Sequence, residues 1–160
     1  MIEVGQAAPG FRLPDTNGTP VDLADLAGRP VLLVFLPAAF TPVCSAEFAG
    51  LVRIQEPAAR AGAQVVAVAC DSMFTLRAWA EAEEVSVPPS GATLVLSDFW
   101  PHGEVSRAYD AFDAERGIAT RTSYLVDADG VVRWSTRSAA GVARDLGEHI
   151  TALERLVGPV

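Results

Sequence analysis

Cys44 is the residue of this sequence best placed to do chemistry. It follows Thr41 and Pro42, shortly after the apolar run 31–36. The run predicts a buried strand, and Thr41 and Pro42 predict the N-cap and the first position of a helix. Cys44 would then lie in the first helical turn, where unpaired N–H groups and the helix dipole favour a thiolate. We therefore expect a nucleophilic sulfur at this position.

The elements around Cys44 follow from the pattern of apolar residues and turn signals. Strands are predicted at about 11–13, 21–23, 31–36, 65–70, 93–96, 121–126 and 131–135. Helices are predicted at about 22–28, 42–61, 74 to before Pro88, 103–109 and 146–156. Pro57 is expected to kink or interrupt the second of these helices. Strands that alternate with helices and end in a hairpin predict an α/β fold, with a mixed central sheet flanked by helices.

Length and composition exclude several classes of protein. The chain has 160 residues, of which 50% are hydrophobic and 20% are charged, and we expect one ordered domain over 1–160. The net charge of −8 argues against binding to nucleic acid or to an anionic membrane. Neither a signal peptide nor a membrane span is apparent. Two cysteines are too few for a disulfide framework, so we expect a cytoplasmic protein.

The spacing of Pro37, Thr41 and Cys44 after a hydrophobic strand resembles the active-site signature of the peroxiredoxins. These are thiol-dependent peroxidases with a thioredoxin-like fold. The similarity continues in 4–11, 96–103 and 121–127. The run Asp-Phe-Trp-Pro-His-Gly within the second stretch is similar to that of the one-cysteine alkyl hydroperoxide reductase E subgroup. The resemblance implies a thioredoxin-like domain with an amino-terminal hairpin extension.

Three residues besides Cys44 are predicted to be catalytic. Thr41 is expected to accept a hydrogen bond from the Cys44 N–H and to donate its hydroxyl to the thiolate or the peroxide. The resemblance implies that Pro37 shields the sulfur from water and limits its overoxidation. It also implies that Arg121 lies beside the thiolate and polarises the peroxide, a role that suits a permanently charged guanidinium.

Substrate binding is assigned by the same resemblance to Val43, Glu47 and Trp100. Glu47 follows Cys44 by one helical turn and either helps to hold arginines or is a solvated helix residue. Trp100 and His102 are expected to shape the rim of the pocket or a dimer surface. The sequence contains neither a phosphate-binding loop nor a credible zinc spacing, so we expect no cofactor and no metal.

Cys70 ends the strand that neighbours the one leading to Cys44. The carboxyl ends of parallel strands gather active-site residues, so a resolving role is open. Its position does not match the family's usual resolving cysteines, however. A buried structural thiol is the favoured interpretation.

The resemblance implies reduction of hydrogen peroxide and organic hydroperoxides. The Cys44 thiolate would form a sulfenic acid, and an external thiol or redoxin, as in a mycothiol or mycoredoxin route, would regenerate it. A homodimer or higher homo-oligomer is expected. Two alternatives stay open, namely a redox-sensing or chaperone-like switch that uses Cys44 oxidation, and a thioredoxin-fold binding module with inert cysteines.

Overall fold

A five-stranded mixed sheet forms the centre of the computed structural model, which describes residues 1–88 and 92–158. The strands are β1 (Arg12–Pro14), β2 (Pro20–Asp22), β3 (Val31–Phe35), β4 (Gln64–Ala69), β5 (Thr93–Ser97), β6 (Phe112–Asp113), β7 (Ile118–Ala119), β8 (Thr122–Val126) and β9 (Val132–Arg137). The helices are α1 (Pro42–Gly50), α2 (Val52–Arg60), α3 (Met73–Ala82), α4 (Glu104–Ala108) and α5 (Leu146–Val157), with a short 3-10 helix at Leu23–Leu26.

The strands of the central sheet lie in the order β5-β4-β3-β8-β9. β3 pairs in parallel with β4, and β4 pairs in parallel with β5. β8 pairs antiparallel with both β3 and β9. β3 and β8 are buried along their whole length, as expected for central strands that are covered on both faces. The mixed sheet predicted from the sequence is therefore confirmed.

Two hydrophobic cores cover the two faces of this sheet. Alternation along β3 directs Val34 to one face and Phe35 to the other. The first core, called the Cys44 core below, includes Leu32, Val34, Leu36, Cys44, Phe48, Leu51, Ile54, Leu76, Trp79 and Leu153. The second, called the Tyr109 core, includes Leu33, Phe35, Val66, Val68, Cys70, Leu96, Tyr109 and Tyr124. Helices α1, α2, α3 and α5 thus pack on the face opposite to that of α4.

The long helix predicted after β3 is divided at Leu51. Pro57 was expected to kink or interrupt this helix, and the interruption is wrong, because α2 continues through Pro57. The Leu51 N–H bonds to the carbonyl of Phe48 and its own carbonyl accepts from Ile54, so the α-helical pattern shortens at this residue. Pro57 lies inside α2 with its ring buried. Packing of this ring against the core offsets the hydrogen bond that proline cannot donate.

Two small hairpins flank the main sheet. The amino-terminal pair β1–β2 confirms the predicted hairpin extension. The pair β6–β7 was not predicted, because strands of two residues are too short to show alternation. The α3 helix ends at Ala82, well before Pro88, and the neighbouring Pro89 lies outside the described residues. Over the part of the chain that the structure describes, the helices are too short or too polar to cross a membrane.

Candidate active site

Cys44 lies in the first turn of α1, immediately after the loop that leaves the carboxyl end of β3. Its side chain is fully buried and belongs to the Cys44 core. Phe40 in the preceding loop has a φ of 63°, a left-handed conformation that is uncommon for an aromatic residue. The Ala39 N–H donates to Asp71, which follows β4, at 3.1 Å. The loop is thereby tied to the neighbouring strand end, at the sheet edge where parallel strands gather functional groups.

Thr41 occupies the predicted N-cap position of α1, but its side chain does not cap the helix. The hydroxyl donates instead to the carbonyl of Ala38 at 2.8 Å. The predicted bond from the Cys44 N–H to Thr41 is therefore wrong. The turn through Phe40 brings the Ala38 carbonyl within reach, and this local bond competes successfully with the cap.

A cavity of about 400 Å³ brings three of the predicted site residues together. Pro37, Thr41 and Arg121 line it, with further residues from 113–120 and 137–141. Of the predicted substrate-binding residues, Val43 is half-buried and Trp100 is 79% exposed, and neither belongs to the described lining of this cavity. Their assignment to substrate binding stays a prediction.

Glu47 connects the helix of Cys44 to Arg121. It lies one turn after Cys44 on α1 and is only 3% exposed. Its Oε2 accepts a hydrogen bond from Nη1 of Arg121 at 2.5 Å, and both side chains are buried. Glu47 is therefore an anchor for the guanidinium at the cavity, and its assignment to substrate binding stays a prediction.

Arg144 is a buried member of this cluster that the sequence analysis missed. Its backbone N–H and Nε donate to Oε1 of Glu47 at 2.8 and 3.0 Å, and Nη2 donates to Oε2 at 3.2 Å. Nη1 donates to the carbonyls of Phe35 and Thr122. Arg144 lies in the segment between β9 and α5, without a motif or a regular element around it. Only the tertiary fold distinguishes it from the other arginines.

The opposite charges of this buried cluster stabilise one another. Burial by itself would raise the pKa of Glu47, but hydrogen bonds from Arg144 and Arg121 outweigh it and hold the pKa below its usual value. Burial lowers the pKa of Arg144, whereas Glu47 and a Cys44 thiolate favour its charged form. The same guanidinium is thus sensitive to the charge of Glu47 and to that of Cys44.

Arg121 retains an unused donor in this arrangement. Its Nε is buried and has no hydrogen-bond partner among the described residues, although the residue is only 6% exposed. A buried N–H without a partner is costly, and such groups concentrate where a ligand supplies the missing acceptor. Since Arg121 also lines the cavity, an oxygen-rich ligand bound there could accept this hydrogen bond.

Cys70 lies on the other face of the sheet from Cys44. It is 4% exposed within the Tyr109 core, and its sulfur is 3.7 Å from the hydroxyl of Ser106. Burial raises the pKa of the Cys70 thiol to about 11, and the charge of Asp98 adds to this effect. Both cysteines are free, and the surroundings of Cys70 favour an unreactive thiol.

Among residues 1–88 and 92–158, no group of three or more histidine, cysteine or carboxylate side chains is arranged to hold a metal ion. The chemical features of the site are therefore the sulfur of Cys44, the buried guanidinium groups and the cavity that Arg121 lines. A buried cysteine at a helix start, within electrostatic reach of a buried arginine, is typical of a thiol-based redox site.

Comparison with known families agrees with this class. A model of the AhpC/TSA family matches residues 4–135, which is most of the chain. The chain therefore belongs to this family of peroxiredoxins, and its mixed sheet with flanking helices is a thioredoxin-like fold.

Individual relatives are similar to this chain over most of its length. Alkyl hydroperoxide reductase E of Mycobacterium tuberculosis (strain ATCC 25618 / H37Rv) is 36% identical over 146 residues, covering 91% of this chain and 92% of that protein. AhpC of Enterococcus faecalis has a TM-score of 0.84 at 26% identity, covering 97% of this chain and 92% of its own. Peroxidoxin BcpB from Mycobacterium tuberculosis has a TM-score of 0.82 at 25% identity, covering 97% and 98%. The protein is a thiol-dependent peroxidase, with a peroxide as substrate and a thiol as reductant.

Proposed function

We propose that this peroxidase is of the one-cysteine type, with Cys44 as the only residue that is oxidised in turnover. The thiolate sulfur attacks one peroxide oxygen, so that an S–O bond forms as the O–O bond breaks. The second oxygen leaves as hydroxide or alkoxide and takes a proton from solvent to give water or an alcohol. The sulfur is oxidised to a sulfenic acid, and the peroxide is reduced.

The observation that carries this proposal is the buried, unpaired Nε–H of Arg121, a residue that lines the cavity. A preorganised donor stabilises negative charge as it develops on the peroxide oxygens, and it needs no rearrangement during the reaction. Glu47 holds this guanidinium from the helix that carries Cys44. Thr41 provides a hydroxyl oxygen at the same cavity, and Pro37 limits the access of water.

We assign the reduction of the Cys44 sulfenic acid, which regenerates the thiol, to an external thiol. Cys70 packs on the opposite face of the sheet, and a disulfide requires the two Cα atoms to lie within about 7 Å. The resemblance to alkyl hydroperoxide reductase E favours hydrogen peroxide and organic hydroperoxides as substrates, and mycothiol or a mycoredoxin-type redoxin as reductant. Two free cysteines suit a reducing cytoplasm.

A homodimer is proposed from exposed aromatic side chains near the active-site edge. Phe40 is 54% exposed in the loop after β3, and Phe99 and Trp100 are 52% and 79% exposed after β5. β3 and β5 are both parallel to β4, so these loops leave the same edge of the sheet. Exposed apolar groups that lie near one another are typical of protein–protein contacts.

Peroxide consumption tests the proposal directly. The wild-type protein is mixed with hydrogen peroxide or cumene hydroperoxide, and with mycothiol, a mycoredoxin or dithiothreitol as reductant. We expect multiple turnovers from the wild type and from Cys70→Ser, and none from Cys44→Ser with its fold intact. A single oxidation without turnover by any thiol would favour the redox switch, and activity in Cys44→Ser would exclude Cys44 as the nucleophile.

A further inference from the structure

The cluster of Cys44, Glu47 and the two arginines is continued by a second pair of buried polar residues, Ser123 and His149. Both side chains are fully buried. The hydroxyl of Ser123 is 3.1 Å from Nη1 of Arg144 and 2.9 Å from Nε2 of His149. The chain of contacts therefore runs from α5, through β8, to the arginine that holds Glu47.

The direction of each hydrogen bond follows from the chemistry of the groups. Nδ1 of His149 is 3.0 Å from the carbonyl of Asp145, which can only accept, so Nδ1 carries the proton. Burial lowers the pKa of His149 to about 4, so the ring is neutral at pH 7 and Nε2 is an acceptor. Ser123 then donates its hydroxyl proton to Nε2 and accepts from Arg144. Each group of this relay thereby has a partner of the right kind, with the two Nη1 protons of Arg144 shared among Ser123 and the carbonyls of Phe35 and Thr122.

This arrangement fixes Arg144 from the side opposite to Glu47. The guanidinium donates to Glu47 through Nε and Nη2, and to Ser123 and two backbone carbonyls through Nη1. Arg144 in turn donates to both carboxylate oxygens of Glu47, which leaves Glu47 one orientation in which to accept from Arg121.

We infer that Ser123 and His149 are positioning residues for peroxide reduction, which fix Arg144 and, through Glu47, the orientation of Arg121 at the cavity. Neither residue lines that cavity among the described residues, so they act through the arginines rather than on the substrate. This inference rests on the proposed role of Arg121. Catalysis is sensitive to such indirect contacts, because a misplacement of about 1 Å can slow a reaction by about 100-fold.

The test measures the second-order rate constant for oxidation of Cys44 by hydrogen peroxide in a double-mutant cycle. Ser123→Ala should slow oxidation by about tenfold in the wild-type background. In the Arg121→Ala background the same substitution should have little further effect, because the group that it positions is absent. Equal slowing in both backgrounds, or a wild-type rate in Ser123→Ala, would overturn the inference.

Two variants of His149 in α5 test the relay further. A purely structural role of His149 would not predict a difference in oxidation rate that depends on a hydrogen-bond acceptor at this position. His149→Gln can still accept the Ser123 hydroxyl proton, whereas His149→Leu cannot, so we expect Gln to retain more of the rate than Leu. If His149→Leu does not fold, the oxidation rate of His149→Gln is compared with that of Ser123→Ala. The relay predicts the higher rate for His149→Gln, and a rate as low as that of Ser123→Ala would contradict it. Equal rates in His149→Gln and folded His149→Leu would contradict the relay.

Ile150→Ala is the matched control, since Ile150 follows His149 on α5 and packs against the Cys44 core without joining the polar relay. It should lower the thermal stability but leave the oxidation rate near that of the wild type. If it slows oxidation as much as Ser123→Ala does, the effect is general loosening of α5 and the inference fails. A wild-type protein that consumes no peroxide would instead contradict the proposed function.

Discussion

At the scale of single residues, Arg121 shows how little of its role is visible in the surrounding sequence. It immediately precedes β8 and is one of several arginines in the chain. Its burial, its contact with Glu47 and its unpaired Nε appear only in the folded protein. A surface arginine such as Arg60 differs from it in burial and in partner, because Arg60 is 57% exposed and pairs with Glu56 across one helical turn.

This difference yields a prediction for Arg121. Arg121→Ala should slow oxidation of Cys44 by about 100-fold, as is typical when one preorganised donor to a developing oxyanion is removed. Stopped-flow measurement of the second-order rate constant with hydrogen peroxide provides the check. Arg60→Ala is the control and should react like the wild type, because an exposed ion pair contributes little. Equal rates in the two variants would exclude the role assigned to Arg121.

At the scale of elements, α1 and α5 both contribute side chains to the buried polar cluster around Glu47 and Arg144. α1 contributes Cys44 and Glu47, and α5 contributes His149, which also contacts the ring of Trp134 at 5.0 Å between ring centroids. Glu47, Arg144 and Asp145 are the charged groups that affect the titration of His149, and burial is the largest influence. The docking of α5 therefore depends on a neutral imidazole.

The stability of the protein should consequently depend on pH. The pKa of His149 falls from an ordinary value of 6.5 to about 4 on folding. Between these values the unfolded chain binds a proton that the folded protein excludes, so the free energy of unfolding decreases as the pH falls. Protonation of this residue should lower the free energy of unfolding by about 3 kcal/mol, with no loss above pH 6.5 and the full loss reached by about pH 4.

Urea unfolding at a series of pH values measures this dependence, with His149→Gln as the reference. The variant should be less sensitive than the wild type between pH 6.5 and about 4. Glu47 affects the stability at lower pH, because its pKa is held below the ordinary 4.5. Its contribution to the free energy of unfolding is lost only as the pH falls below that value. Parallel curves for the two proteins would show that His149 does not titrate as its burial implies.

At the scale of the whole molecule, the central sheet separates the two cysteines. Cys44 packs with α1, α2, α3 and α5, whereas Cys70 packs against the Tyr109 core on the other face. Because the sheet lies between the two cores, we expect that joining the two sulfurs would require α1 to rearrange. We therefore expect this separation to disfavour a disulfide between Cys44 and Cys70 as the oxidation product.

One equivalent of hydrogen peroxide should accordingly yield a sulfenic acid at Cys44 that a dimedone-type reagent traps, and excess peroxide should convert it to the sulfinic acid. Intact-mass measurement and peptide mapping without reductant identify these products. Cys70→Ser should give the same adduct as the wild type. A Cys44–Cys70 disulfide as the main product would make Cys70 the resolving residue and would refute the one-cysteine mechanism.

The sequence by itself determined the features that depend on local order along the chain. The buried strand, the helix start at Pro42 and the spacing of Pro37, Thr41 and Cys44 are local patterns, and they were enough to predict the mixed sheet and the family, both of which are confirmed. The same patterns predict Cys44 as the nucleophile. These features follow from apolar periodicity and from the preferences of helix ends, which a short stretch of chain already contains.

Only the tertiary structure decided which distant groups meet. Arg144, Ser123 and His149 lie far from Cys44 in the chain. Arg144 donates to Glu47, Ser123 contacts Arg144 and His149 contacts Ser123, so this series of contacts requires Arg144 to reach α1 and α5 to pack against β8. The same is true of the helix division at Leu51 and of the Thr41 hydroxyl, where packing and a nearby carbonyl override local preference. Hydrogen bonds among buried groups depend on positions in space, and these are set by the packing of the whole core rather than by neighbours in sequence.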